Sequence, residues 1–359
     1  MTDNVTIDNN KETNSQAEGR LFVDVHLLQV LPPNCANRDD KGSPKSACYG
    51  GVTRSRISSQ SIKAAVRRQF ATEFGEGWVG KRTKYAAKLV AKEIAAIAPD
   101  MDAEEEAQKV FTHVGKNEED KTAALFFISP VQAKAVARLI VDGSSDKGAF
   151  NKALNENPAI DMALFGRMAA SNPVLNYDAC AQVAHAVSTH EARNEYDYFS
   201  AVDDCDKGSG AAHLDTAEFT SSTMYRYANI NVHEARKYLG EMTAKAVAGF
   251  IASFIYANPS GKEHSFAHCT LPYMVYVAFR TDRAINFADA FEKPVSNKDG
   301  GYAENSERVF CNYIRKTYRN YGNAPAKAFG FGDFITEFAE ESSLPELLNK
   351  VEDWINTNM

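Results

Sequence analysis

The sequence predicts an α+β protein in which a sheet domain is interrupted by a helical segment and by a protruding hairpin. An alternating apolar strand pattern begins near residue 21 and is followed by an amphipathic helix. Residues 81–141 then have helical periodicity almost throughout. Two strand-like segments flank a polar, glycine-rich stretch at 203–214, which predicts a long hairpin with a permissive tip.

The first strand is predicted at Leu21–Leu31, where every second residue from Leu21 to Leu27 is apolar and Asp24 and His26 interrupt the other face. After a polar loop, Ser58 has the character of a helix N-cap, with the helix starting near Ser59. The apolar stripe of this helix is Ile62, Ala65, Val66 and Phe70.

The later elements follow from the same patterns. The segments "EYDYFSAV" and "EFTSSTMYRYANINV" predict the two hairpin strands, and "HEARKYLGEMTAKAVAGFIASFIYA" predicts one long amphipathic helix. A strand at "TLPYMVYVAF", a helix at "ERVFCNYIRKTY" and helical pieces at the end complete the order.

The composition is that of an ordinary soluble protein, with 44% hydrophobic and 24% charged residues among 359. No apolar run approaches the roughly 20 residues that span a bilayer, so no membrane partner is expected. Residues 1–20 are polar and predict a disordered tail. Six cysteines without a C-x-x-C pair indicate reduced thiols and a cytoplasmic protein.

Positive charge is concentrated between Arg38 and Arg68. This stretch holds eight Lys or Arg residues against two acids, a local net charge of +6 in a chain of net charge -7. The remainder therefore carries -13, which favours a local anionic ligand over a generally basic surface. A solvated basic face is the alternative. The pattern differs from G-x-x-x-x-G-K-[ST], so a nucleotide-hydrolysing P-loop is disfavoured.

The residue types in this stretch suit a nucleic-acid backbone. Glycines allow close approach, small polar side chains at a helix start offer hydrogen bonds, and cations neutralise phosphate. Arg54 and Arg56 alternate as on an extended segment, which predicts that they share one side. The candidate residues here are Arg38, Lys45, Gly50, Gly51, Arg54, Arg56, Ser58, Ser59, Gln60, Lys63, Arg67 and Arg68. Further along, Tyr225 and Tyr227 alternate on a strand, where base stacking and core packing are equally good interpretations.

Catalytic and metal chemistry find less support. The pairs His264/His268 and His185/His190 lack an H-E-x-x-H context, so satisfied or solvent-facing histidines are the better interpretation. The pairs Asp39/Asp40 and Asp203/Asp204 have the chemistry to hold Mg²⁺, but adjacent acids in loops are more often turn formers. No G-x-S-x-G motif is present. The sequence therefore predicts no metal site, no cofactor and no enzyme.

Several long motifs carry a family resemblance. They are "NRDD" (37–40), Gly50–Gly51, "RISSQS" (56–61) followed by a basic helix, "ALFGRM" (163–168), "QVAHAVSTHEA" (182–192), "DYFSAVDD" (197–204) and "YRYANINV" (225–232). Together they span roughly residues 21–280 in one order. In this respect the chain resembles the CasC (Cse-four) backbone subunits, of the Cas-seven family, in type I-E CRISPR Cascade complexes.

The resemblance implies a hand-like fold: an RRM-like (ferredoxin-like) palm with a helical fingers insertion and a β-hairpin thumb. Applied to this chain, the palm comprises residues 21–75, 176–196 and 226–359. The fingers are 76–175, the thumb hairpin is 197–225, and residues 1–20 are the tail.

The resemblance also implies a non-catalytic protein that coats a CRISPR RNA (crRNA) in a filament of about six copies and presents it to target DNA. Its partners would include the large, small, five-prime-handle-binding and crRNA-processing Cascade subunits. Arg38, Lys45, Ser58, Gln60, Lys63 and Arg67 would hold phosphates and sugars, and Met168 would wedge beside a flipped nucleotide. The other motifs add Arg167, Phe199, Ser200, Tyr225 and Arg226 as RNA-binding candidates. The alternative is a type III-like backbone protein that cuts target RNA with a metal ion and a loop aspartate, Asp39 or Asp40.

Overall fold

A computed structural model describes residues 19–114, 117–118, 121–122, 125–169, 172–202, 205, 211–297 and 300–359. Residues 1–18 of the predicted tail, and the acidic pair Asp203 and Asp204, lie outside these ranges. Within them the chain is a mixed α+β protein with one large sheet, which confirms the predicted class.

The strands and helices alternate irregularly along the chain. The strands are β1 (Phe22–Asn34), β2 (Ser46–Tyr49), β3 (Val52–Ile57), β4 (Lys81–Thr83), β5 (Asn117–Glu118), β6 (Lys121–Thr122), β7 (Phe126–Ile128), β8 (Ala181–Val183), β9 (Ala186–Ser188), β10 (Glu195–Val202), β11 (Ala211–Asn231), β12 (Met274–Arg280), β13 (Lys327–Phe331) and β14 (Glu340–Glu341). The helices are α1 (Ser59–Phe74), α2 (Ala86–Ile97), α3 (Ala103–Val114), α4 (Pro130–Val141), α5 (Lys147–Asn155), α6 (Ile160–Phe165), α7 (Val232–Leu239), α8 (Thr243–Tyr256), α9 (Glu263–Phe266), α10 (Ala303–Tyr321) and α11 (Leu344–Asn358).

The large sheet is built around β1. Its strand order is β14-β13-β12-β1-β11-β9-β3-β2, with β8 and β10 also pairing to β11. Strand β1 runs antiparallel to β11 on one side and to β12 on the other. Because β11 has 21 residues, it pairs with β10 in a hairpin and then continues into the sheet. The predicted hairpin is therefore continuous with the centre of the fold.

Both faces of the sheet are covered. Val23, Val25 and Leu27 of β1 pack in a cluster with residues of α1, α8 and α11. On the opposite face, Leu28 packs with aromatic residues of β11 and β12 and with Phe310 of α10. Asp24 and His26 of β1 are also buried, so the face that they interrupt is an interior face. The long strand β1 is thus the central strand of a two-sided core.

The helical segment has a core of its own. Helices α2, α3, α4 and α5 contribute to one buried cluster that includes Val90, Ile94, Phe111 and Val136. Strand β7 contributes Phe126 and Ile128 to this cluster and pairs with β4. Helix α4 begins with a capping box formed by Ser129 and Gln132, which supplies partners for the first backbone N–H groups. In the described part of 81–141, the predicted helical region, three helices lie together with the short strands β4, β5, β6 and β7.

One predicted helix is divided in two. The segment "HEARKYLGEMTAKAVAGFIASFIYA" forms α7 and α8, separated by a 3₁₀ turn at Gly240–Met242. Gly240 has φ 53, a left-handed conformation that a glycine adopts at little cost and that ends a helix. Among the described residues, no helix combines the length and the apolarity needed to cross a membrane.

Candidate nucleic-acid interface

The start of helix α1 is fixed by two hydrogen bonds. The Ser58 hydroxyl accepts from the Ser61 backbone N–H, which confirms Ser58 as the N-cap. The Ser58 backbone N–H donates to the Asn37 side chain over 2.8 Å. The loop that follows β1 is therefore held against the start of α1, and this brings the first and last parts of the cationic stretch together. The Ser58 side chain is buried, and its hydroxyl caps the helix.

The two glycines form the tight turn between β2 and β3. Gly50 has φ 60 and Gly51 has φ 78, and Tyr49 pairs with Val52 across the turn. Positive φ at both central residues is the type I′ hairpin geometry. A Cβ on Gly50 would lie 1.7 Å from the Glu292 carbonyl oxygen. The close approach at Gly50 is therefore to the protein's own backbone, which corrects the expectation that it admits a ligand.

Arg56 lies near the surface beside the start of α1. Its Nε donates to the Ser46 carbonyl oxygen over 3.2 Å, and its guanidinium lies 3.3 Å from Nδ1 of His185. The same Nδ1 accepts from the Ser59 backbone N–H over 3.3 Å. Lys45 is close enough to lower the pKa of His185. These residues make a cation-rich corner at the N-terminus of α1.

Further along α1, three of the predicted side chains line one cleft of about 530 Å³. They are Gln60, Lys63 and Arg67, and Met168 lies at the same cleft with 81% of its surface exposed. Phe127 and Phe165 contribute aromatic surface. The cleft therefore combines cations with apolar and aromatic groups, the combination that binds single-stranded nucleic acid. Arg68 is exposed but does not line this cleft.

Two cations of the cleft, Lys63 and Arg67, are each placed over an aromatic ring. The Arg67 guanidinium lies 4.7 Å from the Phe127 ring centre, and the Lys63 ammonium lies 5.8 Å from that of Phe165. Arg67 also donates from Nε to the buried carboxylate of Asp161. Partial burial lowers the pKa of Lys63. Both cations are thus oriented before any ligand arrives.

Besides Ser58, four of the predicted RNA-binding residues have buried side chains. Arg54 is fully buried and donates to the carbonyl oxygens of Tyr49, Ser188, Phe291 and Glu292. It therefore does not share the outer side of β3 with Arg56. Arg226 is also buried and donates to Gln29 and to the carbonyl oxygens of Phe254 and Ala257.

The other two are Arg167 and Tyr225. Arg167 donates to the carbonyl oxygens of Leu175, Phe127 and Leu154, and burial lowers its pKa to about 10. Tyr225 lies in the aromatic core, where its hydroxyl is 2.8 Å from Nδ1 of His26. Tyr227 is buried beside it. Core packing is the correct interpretation of both tyrosines.

The hairpin of β10 and β11 presents exposed aromatic side chains. Phe199 is 42% exposed, and Tyr196 and Tyr198 are more so. Ser200 is exposed on the same strand. The predicted hairpin is present and its candidate residues are accessible, although the residues at its tip between Cys205 and Ala211 lie outside the described ranges.

The Asp39 carboxylate is hydrogen-bonded to backbone N–H groups of its own loop. Arg38 and Asp39 are exposed, and Oδ1 of Asp39 accepts from the N–H groups of Lys41 and Ser43, both over 2.9 Å. Asp39 is thus a turn former. In the described ranges, no group of three or more His, Cys, Asp or Glu is arranged to hold a metal ion. His190 and His268 are buried, and His185 and His264 are exposed.

Three residues that shape this surface were not among the predicted RNA-binding residues. Asp161 holds Arg67, Arg82 lines the same cleft, and His185 binds the start of α1. Asp161 comes from a segment 94 residues away from Arg67, so no local pattern connects the two. His185 lies within the quoted motif "QVAHAVSTHEA", which was the one available signal for it.

Comparison with known proteins gives one family and several solved structures. The family model described as "CT1975-like protein" matches residues 23–354. A chain of a solved "CRISPR RNA-guided surveillance complex, pre-nicking" has 29% identity and a TM-score of 0.82, and the match covers 94% of this chain and 100% of that one. A chain of another "CRISPR RNA-guided surveillance complex" has 27% identity and a TM-score of 0.72, with 93% and 99% covered. Among curated proteins there is no significant match.

Proposed function

Because the chain belongs to the CT1975-like family of Cas-seven backbone proteins, we propose that it is a crRNA-binding backbone subunit of a type I-E Cascade complex. The observation that carries this proposal is the placement of Gln60, Lys63 and Arg67 along one side of α1, in a cleft with the exposed Met168. The likeness to chains of RNA-guided surveillance complexes, over more than nine tenths of this sequence, supports it.

In this proposal the protein grips the backbone of the guide and leaves the bases free. Lys63, Arg67 and Arg56 supply the positive charge for phosphates, and Gln60 and Ser59 supply hydrogen bonds. Such contacts carry no sequence information, which a protein that accepts any guide requires. Pairing between guide and target DNA then reads the sequence. The negative charge of the remaining surface disfavours indiscriminate binding elsewhere.

The proposal includes an assembly. The sheet around β1 is the RRM-like palm, α2–α5 are the fingers, and the β10–β11 hairpin is the thumb. Copies of the chain, about six as the family resemblance suggests, stack along one guide together with the other Cascade subunits. Met168 and the exposed Phe199 are positioned at the surface, where they can contact an unstacked nucleotide.

The test is to express the protein with its neighbouring genes and to ask whether a discrete small RNA purifies with it. We expect an assembly with several copies of this chain on one RNA. The double variant Lys63→Ala/Arg56→Ala is expected to retain less RNA, while Lys316→Ala, a surface cation of α10 on the other face of the sheet, is the matched control. A discrete monomer without RNA in every preparation would refute the proposal.

We further propose that the subunit is not catalytic. The supporting observation is that Oδ1 of Asp39 is occupied by two backbone N–H groups of its own loop. Incubation of the assembled complex with complementary RNA and Mg²⁺ is expected to give no cleavage. Regularly spaced cuts that disappear in Asp39→Ala would instead favour the type III-like endonuclease.

A further inference from the structure

His185 occupies an unusual position between β8 and β9. Its ring is exposed, and its Nδ1 lies 3.3 Å both from the Ser59 backbone nitrogen and from a terminal nitrogen of Arg56. Both neighbours are obligate hydrogen-bond donors, so Nδ1 must be the acceptor and the ring proton must be on Nε2. The neutral imidazole therefore accepts hydrogen bonds from Arg56 and from the Ser59 N–H, two donors that lie on the proposed RNA surface.

The groups around this ring are cationic or neutral. Arg56 faces it from β3, Lys45 from the segment before β2, and the Ser59 N–H from the first turn of α1. That turn contains no acidic residue, and no carboxylate of the described residues is among the groups that shift the ring's titration. Partial burial and these two cations lower the pKa of His185 from its ordinary value of 6.5. The ring is accordingly neutral near pH 7 in the RNA-free protein.

We propose that His185 takes up a proton from solvent when an RNA phosphate binds beside Arg56, so that the grip on the guide is coupled to pH. This inference rests on the proposed function, since it requires a phosphodiester at this corner. A protonated Nδ1 no longer accepts, and Arg56 and the Ser59 N–H are released to bind phosphate oxygens. The imidazolium then donates to the same anion and adds a third charge-assisted contact.

The direction of the pH dependence follows from the pKa of His185 in the free protein and in the RNA complex. Without RNA the pKa of His185 is below 6.5, and a nearby phosphate raises it because opposite charges stabilise the imidazolium. RNA binding therefore takes up a proton at pH values between the two pKa values. RNA affinity rises as the pH falls through the pKa that His185 has in the complex. It levels off below the pKa that His185 has in the free protein.

The control variant is His185→Asn. The side-chain oxygen of asparagine can take the place of Nδ1 as acceptor for Ser59 and Arg56, but it does not titrate. Dissociation constants for a mixed-sequence single-stranded RNA would be measured on both proteins between about pH 5.5 and 8. We expect the affinity of the unmodified protein to rise by up to about tenfold for each unit by which the phosphate raises the pKa. His185→Asn is expected to respond much less.

A second measurement needs no variant. Calorimetric titration of the unmodified protein with the same RNA, in buffers of different ionisation enthalpy, gives the number of protons taken up. The coupling would be overturned if this titration showed no proton uptake. It would also be overturned if the affinity of His185→Asn responded to pH as strongly as that of the unmodified protein. In either case the proposed function would stand. RNA binding by neither protein at any pH would contradict the proposed function itself and the coupling with it.

Discussion

Nε of Arg67 lies 3.0 Å from Oδ2 of Asp161, which joins helix α1 to helix α6. The Asp161 carboxylate is fully buried, and its other oxygen accepts from the Gly80 backbone N–H over 2.8 Å. Burial raises the pKa of Asp161, and Arg67 opposes that shift. One cation on the cleft thus both stabilises a buried carboxylate and is oriented by it.

The first prediction concerns this pair. Arg67→Ala should lower the free energy of unfolding by about 1–3 kcal/mol, because it leaves a buried acceptor without its charged partner. Arg67→Ala/Asp161→Asn should recover part of that loss, since the amide carries no charge and keeps an acceptor for Gly80. Denaturant unfolding of the single and double variants measures this. Equal stability of Arg67→Ala and the unmodified protein would show that the pair contributes little to the fold.

The double variant also isolates the role of Arg67 in binding. Because the double variant regains part of the lost stability, a loss of its RNA affinity relative to Asp161→Asn reports the missing phosphate contact. Affinity would be measured by titration with single-stranded RNA, alongside Asp161→Asn alone. Unchanged affinity of the double variant relative to Asp161→Asn would exclude Arg67 from the interface.

Lys63→Ala should weaken RNA binding regardless of sequence and reduce the slope of log affinity against log salt by about one. The physical reason is that each neutralised phosphate releases condensed counterions. Binding would be measured over a series of salt concentrations, with Lys316→Ala as the control. A slope equal to that of the control would mean that Lys63 does not contact a phosphate.

The glycine turn offers a matched pair. Gly50→Ala and Gly51→Ala both place a side chain at positive φ, a strain of about 1–2 kcal/mol. Only Gly50→Ala also directs a Cβ into the Glu292 carbonyl, since nothing lies within 4 Å of a Cβ on Gly51. Gly50→Ala should therefore reduce the midpoint of thermal unfolding more than Gly51→Ala does. Equal unfolding midpoints of the two variants would show that the backbone near Glu292 can move away from the added Cβ at little cost in free energy.

Asp24 should make stability depend on pH. Burial raises its pKa from the ordinary 3.8 to about 7. The folded state therefore binds the proton more tightly than the unfolded state, and this contribution is complete below about pH 4 and lost as the pH rises towards 7. The free energy of unfolding of Asp24→Asn, relative to the unmodified protein, should rise over this range by up to about 1.4 kcal/mol per pKa unit. Asp353→Asn, at an exposed position of α11, is the matched control.

Much of the fold follows from local patterns in the sequence. The alternation from Leu21 to Leu27 predicts strand β1, and Ser58 with the apolar stripe of α1 predicts that helix and its cap. These signals are local because side-chain periodicity and capping depend on residues within a few positions of each other. The division between α7 and α8 was not predicted, because apolar residues that become buried lie on both sides of Gly240.

The sequence by itself determined that cations gather between Arg38 and Arg68, and that a helix begins within this stretch. Only the tertiary structure decided which cations remain for a ligand. Arg54 and Arg226 are bound to carbonyl oxygens of distant segments, whereas Lys63 and Arg67 line an open cleft. The physical reason is that burial of a guanidinium requires acceptors brought from elsewhere in the chain, and no local pattern records where those acceptors will lie.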